Sequence, residues 1–276
     1  MSEPRTMPEV RRIVVALDAA RIAEEALEAA AGLAAALQAE LVGLFVEDIE
    51  LMRTAQLPFA RELGLASAVL RRLETSDMER ALRLQAVHSR ERLAAAAAAL
   101  NLQWSFQVVR GQPLAAVFDA LEGSDLVVFG RAGRLVQEHR APSIAARGGG
   151  AQTERFRHLS LRPIVTLFDG SERAWHALAV AHALAATART RLTVLVPAED
   201  AGEFARRRQE ARAWLEERDS MARFVQLLGK EMRVVLDAVR KERAAALVWH
   251  DPTAPKDRAA LRALLSELGC PLVLVS

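Results

Sequence analysis

Short, nearly continuous apolar runs alternate along this chain with longer segments whose apolar residues recur every three or four positions. The run 13–17 ends at Asp18, a helix-period segment follows, and a second run occupies 41–46. Runs too apolar to face water on either side, separated by helices, predict a parallel sheet covered on both faces. The pattern predicts strands at 13–17, 41–46, 104–109 and 126–129. It predicts five more at 164–168, 192–196, 222–227, 246–249 and 272–275, with helices over 113–121 and 231–243 ahead of the fourth strand of each set.

The order repeats because the sequence repeats. RRIVVALDAARIAEEALEAAAGLAAALQAELVGLFVED, from Arg11, aligns without gaps to RPIVTLFDGSERAWHALAVAHALAATARTRLTVLVPAE, from Arg162, an offset of 151 residues. Asp18 falls on Asp169, Ala26-Leu27 on Ala177-Leu178, and Leu41 on Leu192. The fold class expected is α/β: two tandem doubly wound parallel-sheet domains that pair within the chain as a pseudo-dimer. The first domain is 1–160, with a helical insertion at 51–100 and an Arg/Gly-rich connection at 131–160; the second is 161–276. Met78, Leu82 and Gln85 stand on a different face from Arg80, Arg83 and Arg90, which predicts that the helix of the insertion lays one side on the sheet. Between Gly130 and Pro163 no β-branched apolar run occurs. The fifth strand of the first domain is therefore missing or very short, or its place in the sheet is filled by another element.

Composition narrows the class of protein. The 276 residues are 51% hydrophobic and 26% charged, enough for packed cores and unlike a disordered chain. The single cysteine, Cys270, excludes an intramolecular disulfide framework and a multi-cysteine metal cluster, which fits a reducing cytoplasm. The N-terminus has no apolar core of a secretory signal, and the Ala-rich apolar stretches are shorter than a membrane span, so no membrane role is expected. The formal net charge of +2 hides a basic segment over 131–162, which holds seven arginines against Glu138 and Glu154. That segment could receive phosphates or an acidic partner. Nucleic acid is not expected as a ligand, because Trp104, Trp175, Trp214 and Trp249 are scattered rather than interleaved with basic residues.

In a doubly wound sheet, ligands sit beyond the C-terminal ends of the strands, so the residues there carry any chemistry. In the first half these include Asp18 after the first strand, Val46 at the end of the second, and Gly130-Arg131-Ala132-Gly133 after the fourth. Closely spaced glycines let backbone N–H groups approach a phosphate. The segments IVVALD, LVGLFVED, LPFARELG, WSFQVVRG and DLVVFGRAGR together resemble the universal stress protein family in a tandem form. The resemblance covers 11–145 well and 162–276 more loosely. It implies a five-stranded parallel fold and, in the nucleotide-binding members, a loop G-x2-G-x9-G-[ST].

On this sequence the resemblance assigns Asp18 and Val46 to the nucleoside and Gly130, Gly133 and Ser143 to the phosphates of ATP. Pro142 stands where the third glycine is expected, which removes an N–H donor and fixes φ. The second half keeps Asp169-Gly170-Ser171 but has His250-Asp251-Pro252-Thr253 in place of the glycine loop, so no cofactor is expected there. The remaining constellations carry no reaction. His176 and His182 fall on different faces of one helix, Ser171 lacks the G-x-S-x-G context of a hydrolase nucleophile, and His250-Asp251 reads as a turn before Pro252. No catalytic or metal-binding residue is assigned. The expected function is a non-catalytic stress-response or signalling module with weak or lost ATP binding and an unknown protein partner. The alternative is an adenine-nucleotide-binding, slowly hydrolysing protein that uses the first domain. A homodimer of chains stays open.

Overall fold

The computed structural model describes residues 9–17, 24–55, 61–63, 70–72, 75–112, 115–116, 119, 125–130, 162–229, 231–250 and 258–275. In the first half, strands β1 (Arg12–Leu17), β2 (Glu40–Asp48), β5 (Trp104–Gly111) and β6 (Leu126–Phe129) are joined by helices α1 (Glu24–Leu37), α2 (Ile49–Ala55) and α3 (Thr75–Ala99). A hairpin of β3 (Arg61–Leu63) and β4 (Leu70–Arg72) stands apart as a second sheet. In the second half, β7 (Ile164–Leu167), β8 (Leu192–Pro197), β9 (Ala222–Leu227), β10 (Ala246–His250) and β11 (Leu272–Val275) alternate with α4 (Glu172–Thr187), α5 (Ala201–Glu216), α6 (Met232–Glu242) and α7 (Arg258–Glu267). All nine strand segments expected from the apolar runs are strands, within two residues at either end. Of the helix expected over 113–121, only Ala115, Ala116 and Asp119 are described.

The two halves form one sheet of nine strands in the order β5-β2-β1-β6-β11-β10-β7-β8-β9. Pairing is parallel within each half. It is antiparallel once, between β6 and β11, where Val128 faces Val273. This answers the question of the fifth strand: the place beside β6 is taken by the last strand of the second half. Each half thus runs 3-2-1-4 from its outer edge inward, and a single fifth strand serves both.

Both faces of the sheet are covered, as the two-sided burial of its strands requires. On one face α1, α3, α4 and α5 close over a core that draws Ile13, Phe45 and Leu93 from the first half and Phe168, Leu178 and Val273 from the second. On the other, α6 and α7 cover Val127, Phe129, Leu247 and Leu272. The Ala-rich α1 and α4 pack on each other across the seam, because small side chains allow close approach. Gly43 does the same for α3: a Cβ there would stand 2.6 Å from Leu93 and 3.0 Å from Phe106.

The repeat extends to the way its helices stop. Gln38 after α1 and Arg189 after α4 occupy the same repeat position, and both take left-handed φ values of 52° and 50°. Each is followed by a residue whose N–H reaches back to the last turn, Ala39 to Ala34 O and Thr190 to Ala185 O. These are Schellman terminations built without glycine, and they turn the chain straight into the next strand. The segment 51–100, expected as an insertion, is the crossover from β2 to β5. Its helix α3 corresponds to α5 of the second half, and only α2 and the β3–β4 hairpin are extra.

Candidate functional site

Two of the expected site residues, Val46 and Gly130, are described, and both lie at the C-terminal ends of strands. Val46 lies two residues from the end of β2, is 7% exposed, and stands opposite Val109 of β5. Gly130 is half-buried, one residue past β6, where Ala16 of β1 faces Phe129. The topology therefore brings the ends of β1 and β6 side by side at the point where crossovers diverge to opposite faces. Asp18, Gly133 and Ser143, with Pro142 and most of the basic segment 131–162, lie outside the described residues.

At the equivalent point of the second half, the structure places a cluster that the sequence reading missed. β7 and β10 are neighbours, with Thr166 opposite Val248, so the residues just beyond the register, Asp169 and His250, meet. His250 Nε2 lies 3.6 Å from Asp169 Oδ1. His250 is not part of a turn; it is the last residue of β10 and is 0% exposed. Among the described residues neither of its ring nitrogens has a hydrogen-bond partner. The signal was present: the repeat puts Asp169 at the end of the first strand, and the 3-2-1-4 order sets the fourth strand beside it.

The loop between β7 and α4 is shaped for this arrangement. Gly170 takes φ of +85°, a conformation that L side chains rarely adopt. The turn lets the Ser171 N–H donate to Asp169 Oδ1 at 3.0 Å, while Ser171 Oγ accepts from Ala174 N and caps α4. A Cβ on Gly170 would stand 3.9 Å from Arg207 Nε. Arg207 is itself committed: its Nη1 donates to the Pro197 carbonyl at the end of β8, and its Nη2 pairs with Glu203 Oε1 at 2.8 Å. Pro197 is the repeat partner of Val46. In the second half, then, the strand ends are occupied by the chain's own Arg207, His250 and Asp169.

The neighbouring His250, then the Ser171 N–H and hydroxyl, hold the Asp169 carboxyl far below the usual carboxylate range, against the opposing effect of its partial burial. A carboxyl with a lowered folded pKa stabilises the fold above its unfolded pKa of 3.8, and that stability is lost as pH falls. Discounted for solvent screening, the interaction is worth about 1–2 kcal/mol at neutral pH. Asp169→Asn should therefore lower stability by that amount at pH 7, with the gap to the parent closing below about pH 4. Urea unfolding at a series of pH values measures it; a gap that persists unchanged at pH 3 contradicts the assignment.

The tryptophans of the second half are also less scattered than their spacing suggests. Phe168, Trp175 and Trp214 form a chain with ring centroids 4.6 and 6.3 Å apart, closed by His182 edge-on to Trp214 at 5.9 Å and by the Arg218 guanidinium 3.8 Å above it. No group of three or more potential metal ligands occurs among the described residues, and no described helix is long and apolar enough to cross a membrane.

Comparison with known proteins gives no match to a family model or to a curated sequence. It gives many matches among solved structures. A universal stress protein from Archaeoglobus fulgidus DSM 4304 aligns over 95% of this chain and 96% of its own, at 10% identity and a TM-score of 0.54. Shorter neighbours cover one half: a protein of the universal stress protein family from Burkholderia pseudomallei, at 23% identity over 43% of this chain and 96% of its own, TM-score 0.33. Another is the Archaeoglobus fulgidus universal stress protein in complex with dAMP, at 16% identity over 43% and 99%, TM-score 0.35. The chain has the universal stress protein fold in a two-copy arrangement.

Proposed function

We propose that this chain is a tandem member of the universal stress protein family, acting in the cytoplasm as a non-catalytic stress-response or signalling module with weak or lost ATP binding. Its copies are 1–160 and 161–276, and it acts through contacts with other proteins. One observation supports this above others. At the strand ends of the second copy the groups able to hold a ligand face one another: Asp169 accepts from the Ser171 N–H and stands 3.6 Å from His250, and Arg207 is held by Pro197 and Glu203. The first copy keeps Gly130 and Gly133, but Pro142 takes a donor from the phosphate loop, which weakens binding by about 1–3 kcal/mol, or roughly 5- to 150-fold.

Calorimetry with ATP at pH 7 tests the reading. The expected result is weak binding at no more than one site per chain; tight stoichiometric binding overturns it. The second reading, an adenine-nucleotide-binding protein that turns ATP over slowly, rests on Asp18, Val46, Gly130, Gly133 and Ser143 of the first copy. It is favoured by the position of Val46 and Gly130 at the C-terminal ends of β2 and β6, the two strands that flank β1. If it holds, Gly130→Leu abolishes a measurable ATP affinity while leaving the thermal transition in place; unchanged affinity rejects it.

A further inference from the structure

The two outer edges of the sheet, β5 and β9, are each the third strand of their half, yet they are finished differently. β9 is covered: Phe224, Val225 and Gln226 are half-buried, Leu227 is buried, the Gln226 amide donates to the carbonyls of Ala198 and Asp200, and Arg223 pairs with Glu242. β5 is longer and its second half is bare, with Val108 50% and Val109 37% exposed beside exposed Gln107 and Arg110. It carries no lysine or proline, the usual guards of a free edge. Its one charge, Arg110, is turned inward to Glu47 at 3.1 Å.

The backbone shows which groups are unclaimed among the described residues. Leu41 N–H donates to Gln103 O, and parallel pairing continues this alternation, so odd-numbered residues of β5 bond to β2. Trp104, Phe106, Val108 and Arg110 therefore present their N–H and C=O groups away from the sheet. We propose that β5 pairs antiparallel with β5 of a second copy of this chain, about a two-fold axis through Gln107. A two-fold perpendicular to the sheet keeps each side chain on its own face, so even positions meet even ones and odd meet odd.

In the register centred on Gln107, Phe106 covers Val108 of the second copy and Ser105 stands beside its Val109. Its Arg110, already paired with Glu47, stands beside Trp104, so the strand's only charge meets no like charge across the axis. Both exposed valines are covered, and all four outward-facing residues become hydrogen-bonded pairs. The occupant is a second copy because the strand is its own complement in this register. Assembly joins two nine-stranded sheets into one of eighteen.

The test is the mass of the full chain by sedimentation or light scattering from about 1 to 100 μM, a range that spans the affinity of an ordinary interface. The parent chain is expected to be dimeric at the upper end. Val108→Pro removes an outward N–H without touching the ladder to β2, and should leave a monomer with an unchanged thermal transition. Should that variant fold poorly, Gln107→Lys and Gln107→Glu, at an exposed site, each place like charges across the axis. Each alone should raise the dissociation constant about fivefold, and an equimolar mixture of the two should recover dimer. A parent chain monomeric throughout the range overturns the proposal. So does a Val108→Pro dimer of undiminished affinity, or a Gln107 pair whose mixture recovers nothing.

Discussion

Val273→Asp is expected to abolish the folded state of both halves together. Val273 is 0% exposed and faces Val128, also 0% exposed, at the only antiparallel pairing in the large sheet. A carboxylate there would lie in an apolar core, and a buried unpaired charge of this kind costs more than about 4 kcal/mol. A domain of this size has about 5–15 kcal/mol in total. The loss would lower the melting temperature by roughly 8–16 °C or remove the transition altogether. One hydrophobic core holds Ile13, Phe45 and Leu93 together with Phe168, Leu178 and Val273, so the damage should not stay on one side. Hydrogen exchange of the β2 and β5 amides measures this. If exchange in β7–β10 accelerates while β2 and β5 stay protected, the halves are independent units and the shared core is not what holds them.

Trp214→Ala should cost about 3–5 kcal/mol, the range for deleting a large aromatic ring from a packed site. Trp214 is 7% exposed and touches three groups that would lose their neighbour: Trp175, His182 and the Arg218 guanidinium. The substitution has a second, more specific readout. Burial, and then the Arg218 charge, hold the His182 pKa below 6.5 in the fold. Opening the Trp214 site to water relieves the burial, so the His182 titration should move up toward 6.5. A His with a lowered folded pKa contributes stability above pH 6.5 that declines as pH falls. The parent should therefore lose stability as pH falls below 6.5 more steeply than Trp214→Ala. The titration of the His182 ring protons by NMR checks the first point and urea midpoints check the second. An unmoved His182 titration would mean that the ring of Trp214 does not shield it.

The strands were legible because they are buried on both faces and therefore written as unbroken apolar runs, the strongest pattern a parallel sheet can leave. The repeat was legible because βαβ units tolerate change in composition while keeping their spacing. What escaped was what topology alone brings together. His250 and Asp169 are 81 positions apart in the chain, and His250 beside Asp251 and Pro252 has the local signature of a turn. Trp175 and Trp214 sit on different helices whose meeting depends on the β8–β9 crossover. The segment 51–100 looked inserted because its first part, α2 and the β3–β4 hairpin, has no counterpart in the second half, although α3 does. The sharing of β11 was only half visible: the lack of a strand-like run after Gly130 could be read, but not which strand would take its place. Of the ligand residues expected in the first half, Val46 and Gly130 stand where the sheet puts them, at strand ends.

The antiparallel contact between β6 and β11 fixes more than an interface. Since strands within each half are parallel and the halves run oppositely, the C-terminal ends of β1 and β6 and those of β7 and β10 open on opposite rims of the sheet. A small molecule held at one rim does not touch the strand ends at the other. Each rim is therefore free to change without a compensating change across the molecule. That is how glycines can persist after β6 while the end of β10 has become a buried histidine, and it leaves the chain with two outward-looking poles of unlike chemistry.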